Sequence, residues 1–132
     1  MPSEENKDVV RRWVETRNTN DLDGALAVWV EEAQSPLRKG FQYFSQAFAD
    51  IYIKIEDIFC DEDKVAMRWT LNAIHHGDYQ GIPATEKNIT MIGIDIYTIE
   101  NGKIKSIIRR TDDLGLLKQM GVTLSWQGDV IS

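Results

Sequence analysis

Apolar residues recur at helical spacing over roughly the first fifty positions and alternate with polar ones after that. Val9, Val10, Trp13, Val14 and Arg17 fall on one side of a helix, behind Ser3, Glu4 and Glu5. A capping residue followed by acidic side chains suits a helix N-terminus, so an amphipathic helix is expected over residues 4–18. Asn18 to Asp21 supply a turn and a second cap, and Leu22, Ala25, Leu26 and Trp29 form a second helical stripe that fades at Glu31 and Glu32. Pro36 and Gly40 read as the brackets of a loop. Beyond them Phe41, Phe44, Ala47 and Phe48 predict a short third helix ending near Asp50.

From Ile51 the period becomes two. Ile51, Ile53 and Ile55 alternate with Tyr52, Lys54 and Glu56, and the acidic run Asp61 to Asp63 forms a turn. Val65, Met67, Trp69, Leu71 and Ala73 mark one face of a second strand reaching about His75. Gly77, Gly81 and Pro83 indicate a loop, and two further strands, 89–99 and 103–111, flank Glu100, Asn101 and Gly102. Asp112 or Asp113 caps a last short helix, Leu114 to Met120, closed by Gly121. Helices followed by an antiparallel meander predict an α+β fold with the helices covering one face of the sheet.

The register of the last hairpin decides which residues meet. A three-residue loop pairing Ile99 with Lys103 puts Ile92, Ile94 and Ile96 on one face with Ile104 and Ile108. Gly93, Asp95 and Tyr97 then share the other face with Lys105, Ile107 and Arg109. This register pairs Gly93 with Arg109 and Asp95 with Ile107, leaving Asp95 and Arg109 as diagonal neighbours. The isoleucine face is left uncovered by helices and predicts a homodimer through the sheet.

Composition narrows the function. With 132 residues, one domain is expected, with a core over about residues 4–121 and a tail over 122–132. The sum of 15 Lys+Arg and 21 Asp+Glu is −6, which disfavours nucleic acid as a partner. The longest apolar run, Ala25 to Val30, is far short of a membrane span, and Met1 to Asp8 is acidic where a signal peptide is basic, so a cytoplasmic protein is expected. One cysteine, Cys60, and the lack of metal-ligand spacing predict neither disulfide nor metal nor cofactor.

The helix-helix-helix-meander order, the segments 64–70 (KVAMRWT), 81–85 (GIPAT), 93–97 (GIDIY) and 113–121 (DLGLLKQMG) together resemble the SnoaL-like polyketide cyclase family. That family belongs to the nuclear-transport-factor-2-like superfamily of cone-shaped α+β barrels, and the resemblance covers nearly the whole chain to Gly121. It implies a curved antiparallel sheet packed on three N-terminal helices, and an intramolecular aldol closure without metal or cofactor. It also implies an acid/base aspartate on the strand corresponding to 103–111. The matching position here is Arg109, and a histidine and a glutamine of the cyclase pocket fall at Asp95 and Gly93. His75 sits where many members have a histidine.

Asp95, alone among Ile92, Ile94, Ile96 and Tyr97, needs a charge partner or it loses its charge. As a general base it would remove a proton α to a carbonyl; in the plainer alternative it forms a structural ion pair with Arg109. Arg109 suits an anionic or carbonyl oxygen through its planar fork, and His75 titrates near neutrality beside the loop expected to rim the cone. Trp29, Trp69, Tyr97, Gly93, Ile107 and Asp112 are expected around a pocket for a small hydrophobic molecule. The leading expectation is a cofactor-free enzyme that enolises, cyclises or isomerises a hydrophobic carbonyl compound. The alternatives are a non-catalytic binding or dimerisation module, and an epoxide hydrolase using Asp95, Arg109 and Asp112.

Overall fold

The change of hydrophobic period near residue 50 is a change from helix to strand. A computed structural model describes residues 2–126 and 129–131 of the chain. The helices are α1 (Pro2–Asn18), α2 (Leu22–Ala27) and α3 (Gln34–Ala47), with a single 3-10 turn at Glu31–Ala33. The strands β1 (Phe48–Asp61), β2 (Lys64–His75), β3 (Asn88–Glu100) and β4 (Lys103–Thr111) form one antiparallel sheet in chain order. A short helix α4 (Asp113–Gln119) follows, and the expected tail carries a small hairpin of β5 (Leu124–Trp126) and β6 (Asp129–Ile131). Residues 127, 128 and 132 of that tail lie outside the described residues.

Helix α3 differs from expectation at both ends. It starts at Gln34 and includes both Pro36 and Gly40. Pro36 lies in the first turn, where a backbone N–H has no intrahelical acceptor and its loss costs nothing. The helix stops at Ala47, because Phe48 has extended backbone (φ −129, ψ 135) and begins β1. Asp21 caps α2 through Gly24 N at 2.9 Å, as the turn residues suggest.

One face of the sheet is buried. Val65, Met67, Trp69, Leu71, Ala73 and His75 of β2 are all buried, as are Ile89, Met91, Asp95, Tyr97 and Ile99 of β3. Against them pack Val9, Val10, Trp13 and Val14 of α1, with Trp13 meeting Trp29 edge-on at 5.5 Å. The opposite face exposes Ile92, Ile94, Ile96 and Ile108, between 41% and 59% each.

The β3–β4 hairpin corrects the expected register. Glu100 pairs with Lys103 around a two-residue Asn101-Gly102 turn, with both residues at positive φ (50° and 76°). This is the turn that Asn-Gly favours. Ile99 pairs with Ile104, but Thr98 pairs with Ser106, so Lys105 is an extra residue that bulges out of β4. The bulge turns Ile104 to the buried face, where it is fully enclosed, and restores Ile108 to the outer one. The backbone of Ile104 bonds to Val28 O (2.8 Å) and Val30 N (3.0 Å), so the α2–α3 connection covers this part of the sheet edge. Asp95 consequently sits directly opposite Arg109, and Gly93 opposite Thr111.

Candidate functional site

Between α1, α3 and the inner face of the sheet lies a cavity of about 310 Å³. Its apolar walls include Trp13, Leu37, Phe41, Phe44, Met67 and Trp69, and its polar groups include Arg17, Asp95, Tyr97 and Arg109. Strand alternation places Asp95 and Tyr97 on the same inner face, two residues apart. Asp95 is fully buried, and a carboxylate there requires compensation. Arg109 provides it in bidentate form, donating from Nε to Oδ1 at 2.8 Å and from Nη2 to Oδ2 at 2.9 Å. The Tyr97 hydroxyl donates to Oδ2 at 2.6 Å.

These contacts set the protonation of the two donors. Burial, reinforced by the negative charge of Asp95, pushes the Tyr97 hydroxyl well above its ordinary value, so it remains a donor at neutral pH. Burial works against the charge on Arg109, but the hydrogen bonds and charge of Asp95 outweigh it and raise the guanidinium above its ordinary value. The Arg109 side chain is 46% exposed and its guanidinium lies 5.4 Å from the Trp69 ring centroid. The Arg109 side chain therefore runs from a buried carboxylate on the cavity wall toward solvent.

The second cation of the cavity is Arg17 of α1, 8% exposed. Its guanidinium carbon stands 4.0 Å from the centroid of Phe41 and 5.3 Å from that of Phe44. Its protein hydrogen bond is a long one, from Nη1 to Phe41 O at 3.5 Å. Among the described residues no carboxylate lies within ion-pair distance of it. Burial, and then the positive charge of Arg109, push it down to about 10, which leaves it charged at neutral pH. The sequence signal for Arg17 is its place in the apolar stripe of α1, where a cation has no reason to be unless something meets it.

The structure brings Asp95, Arg109, Trp69 and Tyr97 together on the cavity and leaves the other candidates off its lining. His75 is fully buried at the end of β2, where Nδ1 accepts from Thr85 N (3.3 Å) and meets Thr85 Oγ1 at 3.0 Å. It ties down the loop after β2, and its Nε2 is sealed without a partner. Trp29 packs behind Trp13 in the core, and Ile107 is half-buried against the core. Asp112 is spent as the cap of α4, accepting from Gly115 N at 2.9 Å, while its neighbours Thr111 and Asp113 border the cavity. The Asp-Arg-Asp set of Asp95, Arg109 and Asp112 is therefore not assembled.

Gly93 acts from behind the lining. It lies opposite Trp69 in the ladder, and a Cβ there would meet Trp69 Cζ2 at 2.5 Å and Arg110 O at 2.9 Å. The missing side chain lets the indole lie across β3. Gly93→Ala should cost about 1–3 kcal/mol of stability and displace the indole, read by urea unfolding and tryptophan fluorescence. An unchanged midpoint and emission would show that the indole has room elsewhere.

No curated protein sequence matches the chain. Solved structures match its fold: TsrD from Streptomyces laurentii, at 21% identity with a TM-score of 0.84, covers 89% of this chain and 96% of its own. AclR from Streptomyces galilaeus, a candidate hydroxylase, shares 22% identity with a TM-score of 0.83 over 90% of this chain and 82% of its own. IdmH from Streptomyces antibioticus, a candidate polyketide cyclase, shares 20% identity with a TM-score of 0.78 over 89% and 99%. The model of the SnoaL-like polyketide cyclase family matches residues 7–120, most of the chain from α1 to the end of α4. With the three helices, the four-stranded antiparallel sheet and the cavity between them, that match shows that the chain belongs to the SnoaL-like polyketide cyclase family.

Proposed function

We propose that the protein binds a hydrophobic carbonyl compound in the cavity and catalyses its enolisation, as the first step of a cyclisation or isomerisation, without a cofactor. The observation that carries this reading is a fully buried carboxylate, Asp95, lining a cavity whose other walls are largely aromatic and aliphatic. In the proposed step a ligand carbonyl draws the Arg109 guanidinium, which also lines the cavity, toward its oxygen. Asp95 then takes the proton from the adjacent carbon, and Arg109 stabilises the charge that develops on the enolate oxygen. Tyr97 holds the carboxylate in place throughout. His75 has no part in this scheme, being sealed away from the cavity.

The test uses 2-tetralone in D₂O, with exchange of its α-protons followed by NMR. The wild-type protein should accelerate exchange above buffer, and Asp95→Asn should return it to the buffer rate. Binding of the ketone without acceleration would instead support a non-catalytic binding module. That second reading draws on the bidentate ion pair, in which Asp95 and Arg109 satisfy each other.

We also propose that two copies associate through the outer sheet face carrying Ile92, Ile94, Ile96 and Ile108, a contiguous apolar surface on strands β3 and β4. Sedimentation at micromolar concentration should give twice the chain mass, and Ile94→Lys should give the single chain. A wild-type monomer would remove this proposal and leave the cavity chemistry untouched.

A further inference from the structure

Resting on the reading that the cavity holds a hydrophobic carbonyl compound, we infer that this ligand also carries a carboxylate, received by Arg17. Three observations converge on it. Arg17 is a nearly buried cation on the cavity wall, and its charge has no carboxylate partner among the described residues. A buried guanidinium without an anion is costly, and proteins retain one where a ligand completes the pair. Among the described residues, the sealed side-chain polar atoms lacking a partner are Trp29 Nε1, Trp69 Nε1 and His75 Nε2, and the Arg17 nitrogens are not among them. Nη1 is bonded to Phe41 O, so the Arg17 nitrogens open to a ligand are Nε and Nη2.

Where Arg17 presents its charge follows from its stacking. The residue also borders a second, polar cavity of about 280 Å³ beside Asn18, Asn20 and Asp50. Its guanidinium, however, lies over Phe41 and Phe44, which line the larger apolar cavity and not the smaller one. The charged groups facing the larger cavity are Arg17, Arg109, Asp95 and the exposed Asp113, whose carboxylate accepts from the Thr111 hydroxyl. Arg109 already neutralises Asp95, so the buried part of the site carries one uncompensated positive charge, that of Arg17. Arg17 stands on the helical wall, and Asp95 with Arg109 on the sheet. A ligand gripped by its carboxylate at Arg17 would present its apolar body to the aromatic walls and its carbonyl to the sheet.

The test compares 2-naphthoate with its neutral isostere 2-naphthamide by NMR titration at pH 7 and low salt. Both fit an aromatic-walled cavity, and they differ in charge. The acid should bind about tenfold or more tightly than the amide, as expected of one charge-assisted contact. The preference should vanish in Arg17→Met and persist in Arg17→Lys, with circular dichroism confirming that both variants are folded. Equal binding of acid and amide to the wild type would overturn the inference and leave the proposed function standing. A preference that survives Arg17→Met would overturn it too, by assigning the anion to Arg109. If neither probe binds, the inference and the ligand-binding reading of the cavity fall together.

Discussion

Replacing Arg109 with methionine should destabilise the fold by about 2–3 kcal/mol, as measured by urea unfolding. The substitution removes both hydrogen bonds that Arg109 donates and leaves Asp95, fully buried, with Tyr97 as its remaining side-chain donor. Breaking a fully buried pair costs about 3–5 kcal/mol; the lower figure applies because the Arg109 side chain is 46% exposed and water can follow its departure. Asp95→Asn should cost less, about 1–2 kcal/mol, since it leaves the exposed partner behind and keeps an acceptor for Tyr97. The double variant should lose less than the sum, because the stranded charge that makes each single change expensive is gone. Additivity within about 0.5 kcal/mol would mean that the ion pair contributes nothing and that Asp95 is held by other means.

That this pair exists was legible in the sequence, but its geometry was not. Segregating Ile92, Ile94 and Ile96 from Asp95 and Arg109 places Ile108 and Arg109 on the faces where they lie, but puts Ile104 on the outer face when it is buried on the inner one. Parity alone cannot distinguish registers that differ by two residues, and the bulge at Lys105 changes the offset without changing the parity seen at residues 92–97 and 106–111. The cause lies outside the hairpin: the backbone of Ile104 is bonded to Val28 and Val30, a contact between segments about 75 residues apart that no local pattern encodes. Pro36 misleads for a related reason, since the same residue ends a helix from its interior and starts one from its first turn. Residue type alone makes Asp112 and His75 chemical candidates, whereas one is consumed by a helix cap and the other by the Thr85 loop. Arg17 was the reverse case. Its position in the stripe of α1 was plain, but its meaning depends on Phe41 and Phe44 of another helix.

Arg17→Met should make the protein more stable while removing its preference for an acid. Moving the guanidinium from its ordinary value of 12.5 to about 10 corresponds to about 3 kcal/mol of unfavourable environment for the charge, on a residue only 8% exposed. Methionine abolishes that cost and keeps apolar contact with Phe41, but forfeits the cation-π attraction, worth about 1–2 kcal/mol at a desolvated site. The balance is a gain of about 1–2 kcal/mol at neutral pH, or a rise in Tm of about 3–8 °C for a chain of this size. The pH dependence has a definite sign. The folded-state value is depressed, so the cost is fully present below pH 10 and shrinks above it, where the buried guanidinium sheds its proton before an unfolded one does. The stability gap between variant and wild type should therefore be flat through neutrality and begin to close only above pH 10. A side chain that lowers stability and improves ligand binding is retained for the ligand. A variant less stable than wild type by a similar margin would instead make Arg17 a structural prop for Phe41, and the unpaired charge would need no carboxylate to explain it.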